Sequence, residues 1–190
     1  IGLPNAGKST FLSVTSRAKP KIADYPFTTL VPQLGVVAVG SREFVLADIP
    51  GLIEGASEGV GLGHRFLGHV ERCRVLLHLI DATAEDVVES YSTIRNELAA
   101  YDDGLANKEE IIALNKMDSV TDDELETKVK SLKSISKKPV HAISAVIGEN
   151  VEPLLFALLK IVDDSKAAEK AVQEAEEQSL AGEEPSTWQP

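Results

Sequence analysis

A glycine-rich segment near the start of the chain, GLPNAGKS at residues 2–9, limits the possible folds more than any other feature. It matches the pattern G-x-x-x-x-G-K-[ST] and lies between a short apolar start and a helical pattern that begins at Lys8. In that setting, backbone N–H groups and a helix N-terminus surround phosphate, Lys8 supplies a positive charge and Ser9 supplies a hydroxyl to Mg²⁺. The segment therefore predicts a phosphate-binding loop, with a chance glycine-rich turn as the alternative.

Strand-like and helix-like segments alternate along the first 162 residues. Apolar or β-rich runs predict strands at 33–39, 43–47, 74–80, 111–114 and 139–143, and the first two are joined by the turn Gly40-Ser41-Arg42. Helical patterns lie at 8–17, 122–134, after Val87 and after Val151. This alternation predicts an α/β fold of the P-loop NTPase type, with a mostly parallel six-stranded sheet, one antiparallel strand and helices on both faces. Ligands of such sheets bind beyond the carboxyl ends of the strands.

Polar motifs follow three of these predicted strands. Asp48-Ile49-Pro50-Gly51 places an acid where a carboxylate can hold Mg²⁺ through water, and the Gly51 N–H can contact a γ-phosphate. Asn115-Lys116-Met117-Asp118 offers a carboxylate that can accept two hydrogen bonds from guanine but not from adenine. The aliphatic stem of Lys116 can lie over the base. Ser144-Ala145-Val146 lies where a backbone N–H can reach the guanine O6.

Two further segments have the composition of ligand-dependent switches. Residues 23–31 read ADYPFTTLV, and one of the threonines can place its hydroxyl on Mg²⁺ while a γ-phosphate is present. Residues 51–63 hold five glycines, a density typical of a loop that adopts two conformations.

The chain carries 30 acidic and 19 basic residues, a net charge of −11, and much of the excess lies near its end. Residues 163–190 hold eight acidic residues and two lysines, which predicts an acidic tail after a folded domain at 1–162. The tail is expected to be helical over 164–178 and disordered from 179 onward. An acidic protein is a poor candidate for broad binding to phosphate backbones, so we expect no DNA partner.

The sequence also bears on the cellular setting. No apolar run reaches the roughly 18 residues of a membrane-spanning helix, and no signal peptide pattern is present. Cys73 is the one cysteine, which excludes an internal disulfide and favours a reducing, cytoplasmic location. Because Ile1-Gly2 looks like the end of a buried strand, we expect the sequence to be a fragment that is cut within its first strand.

Five stretches together resemble the Obg (CgtA) family of GTPases, and the resemblance covers residues 1–162. They are the phosphate loop, KPKIADYPFTTLVPQLGVV, DIPGLIEGASEGVGLGHRFLGHVERCRVLLHLID, NKMD and SAV. The resemblance implies a Mg²⁺-dependent guanine-nucleotide switch that associates with the large ribosomal subunit and acts in its assembly and in stress responses. By match to that family, the resemblance implies that Ser9 and Thr29 contact the metal and that Lys8, Thr29 and Gly51 act in catalysis. Matched nucleotide contacts are Gly2, Leu3, Pro4, Asn5, Ala6, Gly7, Lys8, Ser9, Phe27, Thr28, Thr29, Leu30, Val31, Asp48, Ile49, Pro50, Gly51, Asn115, Lys116, Met117, Asp118, Ser144, Ala145 and Val146.

One departure from many small GTPases bears on the mechanism. Leu52 stands where those proteins have a glutamine that orients the attacking water, so we expect slow hydrolysis or another catalytic device. Asn5 suggests a device, because similar GTPases with asparagine at this position hold a K⁺ ion in place of an arginine finger. Arg65 and Arg72 are competing arginine-finger candidates. A nucleotide-sensing module with incidental hydrolysis is the rival function, and an ATPase is disfavoured by Asp118.

Overall fold

The computed structural model describes residues 1–22, 32–49, 70–101 and 103–181, and the fold is given for these residues. The elements, in chain order, are α1 (Lys8–Thr15), β1 (Lys21–Ile22), β2 (Gln33–Val39), β3 (Arg42–Asp48), β4 (Leu76–Asp81), α2 (Val87–Tyr101), α3 (Asp103–Ala106), β5 (Glu110–Asn115), a 3₁₀ turn (Met117–Ser119), α4 (Asp122–Ser136), β6 (Val140–Ala142) and α5 (Val151–Ala181). No helix in these ranges is long and apolar enough to cross a bilayer.

The predicted hairpin is present as part of an antiparallel sheet with the order β1-β2-β3. Its register runs from Gln33 opposite Asp48 to Val39 opposite Arg42. Gly40 turns the chain with a φ of 60°, a left-handed conformation that glycine adopts at little cost. This sheet delivers Asp48, at the end of β3, to the edge where the phosphate loop lies.

Strands β4, β5 and β6 form a second, parallel sheet in that order. Nearly every side chain of β4 and β5 is buried, as expected for strands that helices cover on both faces. The register pairs Leu76 with Glu110 at one end and Asp81 with Asn115 at the other. Two polar side chains, Asp81 and Asn115, therefore lie side by side at the carboxyl edge of this sheet.

The prediction of one mostly parallel, six-stranded sheet is not confirmed, because the described strands form two sheets of three, one antiparallel and one parallel. Of the residues that the structure describes, only Ile1 bonds to β4 on the side away from β5. The Ile1 amino group donates to the Leu77 carbonyl, and the Leu79 N–H donates to the Ile1 carbonyl, both at 2.9 Å. A cavity of about 510 Å³, lined by β3, β4 and α1, separates the two sheets beyond this point. One residue cannot extend a ladder far enough to join β3 to β4.

Helix α5 is longer than the sequence pattern predicts, since the apolar stretch after Val151 and the charged stretch at 164–178 form one continuous helix. Leu154 and Leu158 pack into the main core at 0% and 1% exposure. Further along, Asp163 pairs with Arg42 and Glu169 pairs with Arg74, the latter at 2.6 Å. The division of the chain at residue 162 stays a prediction, and no break in the helix marks it.

A cluster of charged and polar groups is buried near the amino end of β5, around Glu110. The carboxylate lies 3.0 Å from His78 Nδ1, 3.1 Å from Lys138 Nζ, 3.6 Å from Arg95 and 3.4 Å from the Tyr91 hydroxyl. Burial alone raises the pKa of Glu110, but the hydrogen bond with His78 and the charges of Lys138 and Arg95 outweigh it and lower that pKa to about 2. An ionised Glu110 therefore stabilises the folded state.

We predict that Glu110→Gln destabilises the protein at pH 7 by about 2 kcal/mol, since it removes a buried carboxylate that is the counter-charge of the partly exposed Lys138 and Arg95. The pKa of Glu110 is about 2 when folded and near 4.5 when unfolded, so its stabilisation is complete above pH 4.5 and is lost as the pH falls towards 2. Urea unfolding at pH 7 and pH 3 measures this, with the exposed neighbour Glu109→Gln as control. The assignment is wrong if Glu110→Gln and wild type lose equal stability between the two pH values.

Candidate nucleotide-binding site

The phosphate loop, residues 2–9, lies between the edge of β4 and the first turn of α1. A Cβ on Gly2 would come within 2.3 Å of the Leu79 carbonyl oxygen, and one on Gly7 would come within 2.3 Å of Asn115 Nδ2. Gly7 has a φ of 92° and precedes α1 with no side chain capping the helix. The N–H groups at this helix N-terminus are thus available to an anion such as phosphate.

Lys8, Ser9 and Asp48 meet at one end of this loop. Lys8 Nζ donates to the carbonyl oxygens of Gly2 and Leu3 at 2.7 and 3.0 Å, which folds its ammonium group over the loop. Burial lowers the pKa of Lys8, while the charge of Asp48 opposes that shift. The Ser9 hydroxyl donates to Asp48 Oδ2 at 2.5 Å. The structure thus brings together Ser9 and Asp48, which are far apart in sequence.

The Ser9–Asp48 pair has donor atoms that suit Mg²⁺. Hydroxyl and carboxylate oxygens are the hard ligands that this ion prefers. Asp48 Oδ1 is buried and has no hydrogen-bond partner among the described residues, so one carboxylate oxygen is left for a water or an ion. The two residues fit the predicted direct and water-mediated roles, and Ser9 and Asp48 would hold the ion together with phosphate oxygens.

Asn115 joins the phosphate loop to the turn after β6. Its Nδ2 donates to the Ala6 carbonyl at 2.9 Å, and its Oδ1 accepts from the Ala145 N–H at 3.0 Å. The side chain is 2% exposed, so both bonds form away from water. Sequence reasoning placed Asn115 in the site but gave no indication of this bridging role.

Asp118 and Ser144 lie together at the other end of the site. The Met117 N–H donates to the Ile143 carbonyl at 3.1 Å, which holds the 3₁₀ turn against the end of β6. Hydrogen bonds from Ser144 and, more weakly, from Ser119 lower the pKa of Asp118, so its exposed carboxylate is ionised. Beside it, Ala145 is buried and Val146 is 72% exposed. The turn is therefore anchored at Ala145 and open to a ligand beyond it.

Two residues near the site were missed by sequence reasoning. Asp81 ends β4 and binds Lys116 Nζ with one carboxylate oxygen, at 2.5 Å. An acid at the carboxyl end of an apolar strand was a usable signal for Asp81, because the same rule identified Asp48 and Asn115. Lys128 reaches the adjoining turn from α4, and no local pattern distinguishes it from the other lysines of that helix.

Several predicted site residues lie outside the residues that the structure describes: Phe27, Thr28, Thr29, Leu30, Val31, Pro50 and Gly51. Leu52 and Arg65, which bear on the catalytic device, also lie outside them. Ile49 is described and is a buried core residue with 2% exposure. Arg72 is exposed, and burial raises the pKa of the neighbouring Cys73 thiol.

The described arrangement has two chemically different ends. An anion-binding loop with a lysine and a possible metal ligand pair forms one end, and an ionised carboxylate beside open backbone groups forms the other. Asn115 fixes the relation between them through its two amide bonds. A ligand that carries phosphates at one end and a hydrogen-bonding base at the other matches this layout.

A family model described as 50S ribosome-binding GTPase matches residues 1–116. Among solved structures, the G domain of the FeoB iron transporter from T. maritima is 19% identical, with 85% of this chain and 94% of that chain covered and a TM-score of 0.62. Nucleolar GTP-binding protein 1 from Plasmodium falciparum is 22% identical, covering 95% of this chain and 91% of that one, with a TM-score of 0.61. These two matches show a shared fold.

A third structure is that of Era in complex with MgGDPNP and nucleotides 1506–1542 of 16S ribosomal RNA. It is 27% identical, with 84% of this chain and 54% of that chain covered and a TM-score of 0.62.

We predict that Gly7→Ala destabilises the protein by about 2 to 3 kcal/mol, because a Cβ there adds a clash with Asn115 to the cost of a positive φ. Gly40→Ala is the matched control, since Gly40 also has a positive φ but nothing lies within 4 Å of its Cβ position. It should cost about 1 kcal/mol. Urea unfolding of both variants makes the comparison, and equal losses would contradict the proposed close approach of Gly7 to Asn115.

Proposed function

Because this chain belongs to the family of 50S ribosome-binding GTPases, we propose that the site described above is a guanine-specific, Mg²⁺-dependent switch with slow intrinsic hydrolysis. The chain is a GTPase and binds GTP and GDP, as its family does. The observation that carries the proposal is the Asn115 bridge, which holds a phosphate loop and a base-binding turn in one fixed relation.

Base selection is assigned to Asp118. Its carboxylate is ionised and exposed, so it can accept hydrogen bonds from the N1–H and the 2-amino group of guanine. Adenine presents an unprotonated N1 at that position, which would leave the carboxylate without a donor. The Ala145 N–H is taken by Asn115, so we assign contact with the guanine O6 to the N–H of the open side of the turn, at Val146.

The chemistry is assigned to positioning and charge stabilisation. Lys8 exchanges its two carbonyl partners in the phosphate loop for β- and γ-phosphate oxygens, and the free N–H groups at the start of α1 bind the same phosphates. When bound, Mg²⁺ supplies neutralising charge to these oxygens, and we assign Ser9, Thr29 and, through water, Asp48 to hold it. In this proposal the Thr29 hydroxyl holds Mg²⁺ only while a γ-phosphate is present, and the Gly51 N–H contacts that phosphate.

The finer identity we propose is a GTPase of the Obg type that acts on the large ribosomal subunit, in its assembly and in stress responses. The supporting observations are the Obg-like sequences on either side of Asp48 and the description of the matched family. The Era relative was solved in complex with ribosomal RNA, so a protein that contains a similar domain binds a ribosomal component. The acidic charge of residues 163–190 favours basic ribosomal protein as the contact of this segment.

We predict that Asp118→Asn exchanges guanine specificity for xanthine specificity. With Mg²⁺ present, GTP but not ATP should displace fluorescent GDP from wild type, whereas Asp118→Asn should lose about 100-fold or more in GTP affinity and gain XTP binding. Asp122→Asn, an exposed acid in the first turn of α4, is the control and should behave as wild type. A folded wild-type protein without guanine preference would remove both the assignment and the proposed function.

We also predict that K⁺ accelerates hydrolysis at least about fivefold relative to Na⁺, as a K⁺ ion held by Asn5 would stabilise the developing charge. Asn5 has a left-handed φ of 64° and is exposed at the front of the loop. Asn5→Gly keeps that backbone conformation available and removes the side chain, so it should abolish the difference while GDP affinity is retained. Multiple-turnover phosphate release in the two salts tests this, and equal rates in wild type contradict the K⁺ hypothesis.

A further inference from the structure

Asp81 has been assigned no role so far, yet both of its carboxylate oxygens are engaged next to the site. Oδ2 accepts from Lys116 Nζ at 2.5 Å, and Oδ1 accepts from the Thr83 N–H and hydroxyl at 2.8 and 2.7 Å. The Thr83 bonds form a tight local turn that fixes the plane of the carboxylate. Asp81 is therefore held in one orientation, with one oxygen facing Lys116.

The backbone of Lys116 has an uncommon conformation, which affects where its side chain lies. Its φ is 66°, a left-handed conformation that side chains other than glycine and asparagine adopt rarely. The side chain is 32% exposed and that of Asp81 is 19% exposed, so the ion pair is half-buried rather than fully solvated. An unpaired lysine would sample many rotamers here and would lose that freedom when a base docks on its stem.

The pair lies on the phosphate-loop side of the sheet. Asp81 lines a cavity of about 230 Å³ together with Leu3, Pro4 and Asn5 of that loop. Asp81 also occupies the sheet position next to Asn115, the residue that joins the two ends of the site. Asp81 therefore lies next to the proposed nucleotide site and not on a remote surface.

A second lysine supports the turn that carries Asp81. Lys128 Nζ, from α4, donates to the carbonyl oxygens of Ala82 and Ala84 at 2.6 and 2.9 Å. On the other side, the Ala82 N–H donates to the Asn115 carbonyl at 2.8 Å. Helix α4 begins just after the 3₁₀ turn that contains Asp118, at a capping box formed by Thr121 and Glu124. Lys128 therefore connects the turn with Asp81 to the helix that follows the base-binding motif.

We propose that Asp81 is a positioning residue for guanine-nucleotide affinity, which holds the Lys116 side chain ready to cover the base, and that Lys128 braces the turn that presents Asp81. The inference rests on the proposed guanine-nucleotide function. Its physical basis is preorganisation: the ion pair restricts Lys116 before the ligand arrives, so less conformational entropy is lost on binding.

The test uses two probes, GDP and inorganic tripolyphosphate, because only GDP has a base. Asp81→Asn keeps the shape and the Thr83 bonds but turns an amide group instead of a carboxylate towards Lys116. We expect it to weaken GDP binding about fivefold and to leave tripolyphosphate binding unchanged. Lys128→Met should weaken GDP binding in the same selective way, whereas Lys130→Met, on the exposed side of α4 where Lys130 pairs with Glu126, should not.

A double-mutant cycle separates positioning from simple structural support. If Asp81 acts through Lys116, Asp81→Asn should have no further effect on GDP affinity in a Lys116→Met background. The proposal is overturned if the two effects add, if GDP and tripolyphosphate weaken in equal proportion, or if Asp81→Asn binds GDP as wild type does. Wild-type binding of GDP with the expected dependence on Asp118 would keep the proposed function intact in each of these cases, while its absence would remove both.

Discussion

The buried amide of Asn115 is the interaction on which the arrangement of the site depends. One side chain satisfies the Ala6 carbonyl in the phosphate loop and the Ala145 N–H after β6, two segments that no backbone ladder connects. The Asn115 side chain is 2% exposed, so loss of either hydrogen bond would leave a buried polar group unsatisfied, which costs folding free energy. The same amide lies against Gly7, so the loop can close only where no Cβ intervenes. Loop sequence and strand-end sequence are thus coupled by one contact.

The parallel sheet determines where the Asn115 side chain lies. Strands β4 and β5 are in a register that ends with Asp81 beside Asn115, and each strand is buried along its length. A shift of one residue would move both side chains to the wrong face, so the apolar packing of the strands also fixes the polar edge. At the opposite end, Glu110 begins β5 in a buried charged cluster. One strand therefore carries a structural ion cluster at its start and the bridging Asn115 at its end.

Much of this organisation was predictable from local patterns, and the exceptions have physical reasons. The helix after Gly7, the hairpin at Gly40 and the buried runs of β4 and β5 were all predicted, because periodicity and turn residues reflect short-range preferences. The single six-stranded sheet is not confirmed, since strand pairing is a long-range property and, among the described residues, only Ile1 bonds β4 on the side away from β5. The continuity of α5 was not predicted, because most side chains in its second half are exposed and form no apolar face. The ion pair of Arg74 with Glu169 joins residues distant in sequence, so no local pattern predicts it.

The sequence by itself determined the kind of chemistry: a phosphate loop at residues 2–9, acids and amides directly after apolar strands, and hence a nucleotide site at one edge of a sheet. Only the tertiary structure decided how those groups are held. Asn115 became a bridge, and Asp81 and Lys128 joined the site, through contacts between residues 30 to 109 positions apart. Motif spacing encodes residue type and local backbone, which depend on near neighbours in the chain. Side-chain partnership depends on the register and packing of whole strands and helices, which no short segment specifies.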